Sequence, residues 1–421
     1  MKENGKRFRT WRILPFVLLV LLVFSTVGCD YVFNLPADTS SPDTSAEDIP
    51  GIEDGTTTPD PDQTKGGEDT LPGDETEDSS EEETTRAPET DEQGNVLTYI
   101  DPLTGLRDTV NVTGIRPVAL VFDNVSAAAP QSGISKSDIL IETMVEYGIS
   151  RLIGITNDYL DADGKGTLDV FGPIRSTRHY MVSISQAFDP LMVGAGYSPQ
   201  GYAIIKNLNL DYIDGVHDRY SLQGFYRDVE RYQNNGYEHS LMITGKGITK
   251  LAEYNTYSYK QKTADAFNFI EEGKNMYLAG GAAKHVILKY SLYQQVQLVY
   301  SSTTGTYYRY HFGDQPHLDA ENGEQLNFKN VLILFAPTRN IEGDTEGRID
   351  VTMTGSGDGY YVSDGRYVAI RWSRATDTSE LNITGLAGER ITLNRGKTFI
   401  TVVNSSLKGT PSIELNYKLG N

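Results

Sequence analysis

The chain has 421 residues, 38% of them hydrophobic, and a formal net charge of −20. That length can bury more than one core, and no nucleic-acid partner is expected. A single cysteine, Cys29, excludes an intrachain disulfide and any thiolate metal cluster.

Residues 1–29 read as a lipoprotein signal peptide. Lys2, Lys6, Arg7, Arg9 and Arg12 form a basic segment, Ile13 to Phe24 an apolar run, and Ser25-Thr26-Val27-Gly28 lead into Cys29. In that order the thiol is placed to take a diacylglyceryl group. The stretch from Ile13 to Val27 includes Pro15, Ser25 and Thr26 and falls short of the ~20 residues that span a bilayer comfortably. One departure is Thr26, at a position where leucine is commonest. Two or three acyl chains on one cysteine hold firmly where a single chain binds marginally. The expected location is the extracytoplasmic face of the cell membrane.

Residues 30–96 follow as an acidic linker. From Asp30 to Asn95 there are 21 acidic residues against Lys65 and Arg86, so the low pI belongs to this stretch. Runs such as Glu81-Glu82-Glu83 with few aromatics cannot bury enough apolar surface to offset ordering entropy, so the linker is expected to be disordered. As a flexible coil it would span ~45 Å on average, a spacer lifting the body off an anionic surface.

From Val96 the texture changes. Pro117 to Phe122 reads as a buried strand ending at Asp123-Asn124, with further strands at Asp138 to Glu142 and Arg151 to Thr156 around a turn near Tyr147-Gly148. A helix is expected over Arg178 to Phe188 and a short strand over Leu191 to Val193. Ser198-Pro199-Gln200 opens a second helix through Asn207, Pro being favoured at the first helical position after a Ser cap. A strand at Leu241 to Ile243 and a helix at Ile248 to Tyr254 complete a mixed α/β domain over 97–262. The remainder, 263–421, carries alternating or β-branched runs at His285–Tyr290, Gln295–Tyr300, Tyr307–Phe312, Val331–Phe335, Ile349–Met353, Gly359–Val362, Tyr367–Ser373 and Phe399–Val403. It reads as mainly antiparallel β, with Ser363-Asp364-Gly365-Arg366 as a tight hairpin turn. The fold class is α+β, and 97–262 is expected to fold alone.

Several blocks carry a resemblance. Arg116 to Asn124, Pro130 to Ser135, Gly172-Pro-Ile-Arg-Ser-Thr-Arg178, Gly196-Tyr-Ser-Pro-Gln200, Arg227-Asp228 and His239-Ser240 resemble the YerB-like lipoproteins of Gram-positive bacteria. So do Phe328 to Val331, Gly355 to Tyr360 and Ile391 to Lys397 in the second half. The likeness runs in order from Asp101 to Val403. It implies a lipid-anchored, two-domain extracytoplasmic protein of no established biochemical activity. Gly194 departs from it, standing where a polar or aromatic residue is expected.

The densest polar constellation is Arg175-Ser176-Thr177-Arg178-His179. Two guanidiniums, two hydroxyls and free backbone N–H groups at a helix start suit a carboxylate or phosphate, and Ser198 and Gln200 add donors. The competing arrangement has Arg175 and Arg178 pairing with Asp123, Glu142 or Glu146 and bracing the sheet. Asp123 and Asn124 at a strand end, Arg227 and Asp228 on a helix face, and His239 are the other candidate contacts. Asp161 to Gly172 matches a calcium loop at its first, third and sixth positions but has Gly172 where the bidentate acid belongs, leaving a simple turn as the alternative. No histidine has metal-ligand spacing, Gly196 to Gly201 is not a nucleophile elbow, and no cofactor is expected. Clustered tyrosines suit either sugar stacking or sheet packing.

The expected function is therefore a lipid-anchored, non-enzymatic envelope protein binding an anionic ligand, such as peptidoglycan or teichoic acid, or an envelope protein. The alternative is a wall-directed hydrolase or transferase using Asp123, Glu142 or His239.

Overall fold

The computed structural model describes residues 89–90, 96–108, 110–161, 163–261, 267–410 and 412–417. Cys29, the signal and nearly all of the acidic linker lie outside the described residues. In chain order the first half supplies β1 (Val118–Asp123), β2 (Ile139–Met144), β3 (Ser150–Thr156), α1 (His179–Ser185), β4 (Leu191–Gly194), α2 (Pro199–Asn207), β5 (Tyr212–Asp214), α3 (Val229–Asn235) and α4 (Gly245–Asn255). The second half supplies β6 (His285–Lys289), β7 (Gln295–Ser301), β8 (Thr306–His311), β9 (Asn330–Ala336), β10 (Gly355–Ser363), β11 (Arg366–Arg374), β12 (Asn382–Gly385) and β13 (Thr398–Asn404). The fold is α+β: helices concentrate in the first half, and the second is almost wholly strand.

One eleven-stranded sheet runs through both halves. From the Gly281–Ala282 edge its order is β11-β10-β9-β13-β2-β3-β1-β4-β5, with β12 also on β11. β13 lies parallel to both β9 and β2, pairing Ile400 with Leu332 and with Ile141. β1, β4 and β5 form a second parallel set, separated from the first by antiparallel β3. The sheet is thus continuous across residue 262, and a chain cut there would strip β2 of β13.

Alternation along each strand sorts side chains to two faces. Leu120, Phe122, Leu140, Ile333 and Phe399 share one core with Val286, Leu298 and Tyr307 from a second sheet built on β6, β7 and β8. Val121, Ile141, Ile153, Leu334 and Val402 face the other way, under Tyr180, Met181 and Ile184 of α1.

Turn chemistry explains the tightest joints. Asp364 (φ 49°) and Gly365 (φ 73°) both take left-handed backbone between β10 and β11, the demand of a two-residue hairpin turn. Ser198 caps α2 by accepting the Gly201 N–H, ahead of Pro199 at the first helical position.

Candidate functional site

The Gly172–Arg178 segment does not hang free at the helix start. It enters between the carboxyl ends of β1 and β4 as an added strand. The Asp123 N–H donates to Pro173 O, Arg175 N–H to Val121 O, Ala195 N–H to Arg175 O, and Thr177 N–H to Gly196 O, all at 2.8–3.0 Å. Those ladder bonds take up the Arg175 and Thr177 N–H groups, two of the backbone donors that the sequence offered to an anion.

The side chains are also engaged. Arg178 is buried and makes a two-pronged contact with Glu146, with further bonds from Nη1 to Ser176 Oγ (3.0 Å) and Thr177 O (2.9 Å). Burial alone would push the Glu146 carboxyl up, but the Arg178 hydrogen bond and charge outweigh it and hold the carboxyl below its ordinary range. Behind this pair Arg151 donates to Ser176 O at 2.5 Å, and burial with the neighbouring Arg178 charge lowers Arg151 to about 10. Of the two expected arrangements, the observed geometry is the bracing one.

Arg175 turns the opposite way. Its Nε lies 3.3 Å from Asp123 Oδ2 and its Nη2 3.1 Å from Glu238 Oε2. His239 Nδ1 donates to the same Asp123 oxygen at 2.7 Å, and its Nε2 lies 3.5 Å from Glu238. Of the sequence candidates, Asp123, Arg175 and His239 lie together, with Glu238, which the sequence reading did not name, beside them. Two carboxylates beside one guanidinium leave no surplus positive charge here.

The remaining candidates are structural in their contacts. Asn124 is fully buried and donates to Ser150 Oγ (2.8 Å) and Glu142 Oε1 (3.2 Å). Arg227 donates to Tyr237 O and lies 3.7 Å over the Tyr237 ring, while Asp228 caps α3 through the Arg231 N–H. Ser198 is spent on its cap. Asp161 Oδ1 accepts from the N–H groups of Asp163 and Lys165, the pattern of a simple turn. Gly194 has a steric reason: a Cβ there would sit 2.1 Å from the Tyr212 hydroxyl, which donates to Gly196 O.

Gln200 borders open space. With His179, Arg339 and Asp350 it lines a cavity of about 580 Å³, where its Oε1 has no hydrogen-bond partner among the described residues. His179 Nε2 meets Asp350 Oδ1 at 2.8 Å, and Arg339 meets Asp350 Oδ2 at 2.9 Å. Arg339 and Asn340 also line a second groove, of about 510 Å³, which the sequence did not reveal. This groove sits where the parallel strands β2, β9 and β13 end, at Met144, Ala336 and Asn404. Carboxyl ends of parallel strands are where open α/β sheets place ligands, because the diverging loops leave a crevice there. Thr143, 1% exposed, lines it with an Oγ1 that has no partner among the described residues. Tyr147, held in left-handed backbone (φ 60°), stands at its rim, 69% exposed. Among the described residues no group of three or more His, Asp and Glu side chains is placed to hold a metal ion.

Against known proteins, residues 103–258 match the family described as "Protein of unknown function (DUF3048) N-terminal domain", and residues 286–400 match its C-terminal domain. "Putative lipoprotein YerB" of Bacillus subtilis (strain 168) is 29% identical over 306 residues, 72% of this chain and 85% of that protein. The crystal structure of YerB from Bacillus subtilis superposes with a TM-score of 0.60 at 28% identity, covering 72% of this chain and 96% of that one. The chain belongs to the YerB-like lipoprotein family. The likeness carries no activity with it. Among the described residues no helix is long and apolar enough to cross a membrane.

The Arg178–Glu146 pair yields a test. Arg178→Gln leaves a poorly solvated carboxylate without its cation and should cost ~3 kcal/mol at neutral pH. The folded Glu146 value is depressed, so its contribution is complete above the ordinary carboxylate range and is lost as pH falls through the folded value. Thermal melts of wild type and variant should therefore converge as the pH falls below the depressed folded value of Glu146. A gap that stays constant down to strong acid would show that the lost stability came from packing.

Proposed function

We propose that this YerB-like protein is a lipid-anchored, extracytoplasmic binding protein, and that its ligand is a carboxylate-bearing cell-wall saccharide held in the groove at the ends of β2, β9 and β13. One observation carries the reading. Among the described residues Arg339 is the only charged one lining that groove; Asp350 contacts its guanidinium from one side, and its side chain remains 80% exposed. The rest of the lining suits a sugar: Tyr147 offers a ring face, and Ser291, Asn340 and Asn404 offer hydroxyl and amide groups. The Gly172–Arg178 segment serves as a brace in this reading, because its guanidiniums are already neutralised. Cys29 supplies the anchor, as the basic and apolar residues before it lead to expect.

A second reading, acid–base chemistry on a wall polymer, is favoured by the Asp123–His239 hydrogen bond, since a carboxylate on Nδ1 orients Nε2 as a base. Glu142 drops out of that reading: it is fully buried against Arg309 and beyond a substrate's reach. Among the described residues no hydroxyl or thiol is hydrogen-bonded to His239, so in this second reading the base would activate water.

Calorimetric titration with muropeptides and wall polymers tests the site. Arg339→Gln and Tyr147→Ala should each weaken binding about tenfold, the loss of one charge-assisted or stacking contact. Arg175→Gln with Arg178→Gln should lower the melting temperature and leave affinity unchanged. The reverse pattern would move the ligand to the brace. For the anchor, Cys29→Ser should abolish incorporation of radiolabelled palmitate; undiminished labelling would dismiss lipidation at this residue.

A further inference from the structure

Two loop tips beside the groove expose side chains that water does not favour. The first follows β2 and carries Tyr147, 69% exposed. The second joins β6 to β7 and carries Leu292 and Tyr293, 96% and 76% exposed. The tips are fastened to each other. Ser291 Oγ donates to Gly148 O at 2.6 Å and accepts the N–H groups of Tyr293 and Gln294, and a Cβ at Gly148 would lie 3.6 Å from the Tyr293 ring. Held in this way, the two tips stand side by side with all three side chains exposed.

We infer that this double tip is a membrane-contacting surface, with Leu292 entering the acyl boundary and Tyr147 and Tyr293 lying at headgroup level. Three features commit the surface to a lipid bilayer. The first is chemical: an apolar point flanked by tyrosines has the composition of an interfacial anchor, with the amphipathic rings suited to the headgroup zone. The second is electrostatic. The carboxylate of the first tip, Glu146, is turned inward onto Arg178 with its side chain 13% exposed, the second tip carries no acid, and the adjoining groove presents the Arg339–Asp350 pair. An anionic headgroup layer therefore meets no unpaired carboxylate on the tips themselves. The third is reach. A chain anchored at Cys29 keeps a bilayer within reach of the 66 residues from Asp30 to Asn95, which can span at most ~3.3–3.6 Å each. Thr104, near the start of the body, accepts the Gly396 N–H at the amino end of β13, whereas the groove lies at the carboxyl end of that strand. The seven residues of β13 separate those ends by ~23 Å, within the linker's span. Contact through the tips would face the groove toward the headgroups and place its ligand close to the membrane. The inference rests on the tips and the anchor, and holds whatever the groove takes.

Spin-label depth measurement on the mature lipidated protein provides the test. Thioether-linked Cys29 cannot take a nitroxide, so Leu292→Cys offers the one reactive thiol. Leu222→Cys, at a position 87% exposed on a separate loop, is the control. Both proteins are reconstituted at low density in phosphatidylglycerol/phosphatidylcholine vesicles, and collision with oxygen is compared with collision with a water-soluble nickel chelate. The expected result is an inverted ratio: oxygen prevailing at 292 and nickel at 222. Nickel prevailing at both positions overturns the inference. Shielding of 292 from both reagents together with dipolar broadening also overturns it, because the tips would then be covered by a second copy of the chain.

Discussion

The Glu142–Arg309 ion pair is the contact on which the arrangement of both halves depends. Nε-side packing aside, the bond itself is short of any solvent: Arg309 Nη2 reaches Glu142 Oε2 at 2.7 Å, and neither side chain has any exposure. Glu142 comes from β2 and Arg309 from β8, so the pair joins the large sheet to the smaller one through the core between them. Around it the polar groups close on one another. Ser150, Asn124 and Gln294 donate to Glu142, while Arg309 donates to His317, which meets Gln131, whose amide donates to Asp123 O. Burial and the Arg309 charge keep His317 far below its ordinary value and push the stacked His311 down to about 3, so both rings stay neutral and the guanidinium faces no competing cation. Such a pair is costly to desolvate and costlier to break, which makes it a register pin more than a source of net stability.

That pin has a consequence at the surface. With Glu142 fixed, β2 runs beside β13, and three parallel strands end together beneath Arg339, Asn340 and Tyr147. The network reaches Asp123 through Gln131, and Asp123 in turn receives His239 and faces Arg175. The polar cluster on β1 is therefore an extension of the core network outward. The groove on β2, β9 and β13 instead has an unmet hydroxyl, Thr143 Oγ1, and the Arg339 guanidinium, which is paired with Asp350 but 80% exposed. Exposure separates it from the brace, where the Arg175 and Arg178 side chains are 26% and 6% exposed.

Much of the local structure was legible in the sequence because its signals are local. Ser198-Pro199 marks the start of α2, Asp364-Gly365 the turn from β10 to β11, and the apolar run before Asp123 the strand β1. Strand β10 was read short, from Gly359, since Gly355 and Gly357 lower strand propensity. The structure needs them small: a Cβ on Gly357 would lie 2.5 Å from Phe335 O and from the Trp372 indole nitrogen. Tyr212–Asp214 is three residues long and gives no period to read. The pairing of β2 with β13 joins positions such as Ile141 and Ile400, and nothing near either residue specifies the other. The same distance hid the groove. Arg178 and Arg175 were visible as charges, but whether Glu146 and Asp123 would neutralise them was a tertiary question, and Arg339 and Thr143 carried no motif.

The account stands on the two halves being one cooperative body held by a buried charge pair. Scanning calorimetry of the full chain, wild type beside Arg309→Met, tests this most directly. The account predicts one transition in the wild type, with calorimetric and van't Hoff enthalpies in agreement. It predicts one transition in the variant as well, destabilised by ~3–5 kcal/mol because Glu142 is left charged and unpaired in the core. Two resolved wild-type transitions, or a variant that melts with the wild type, would contradict it.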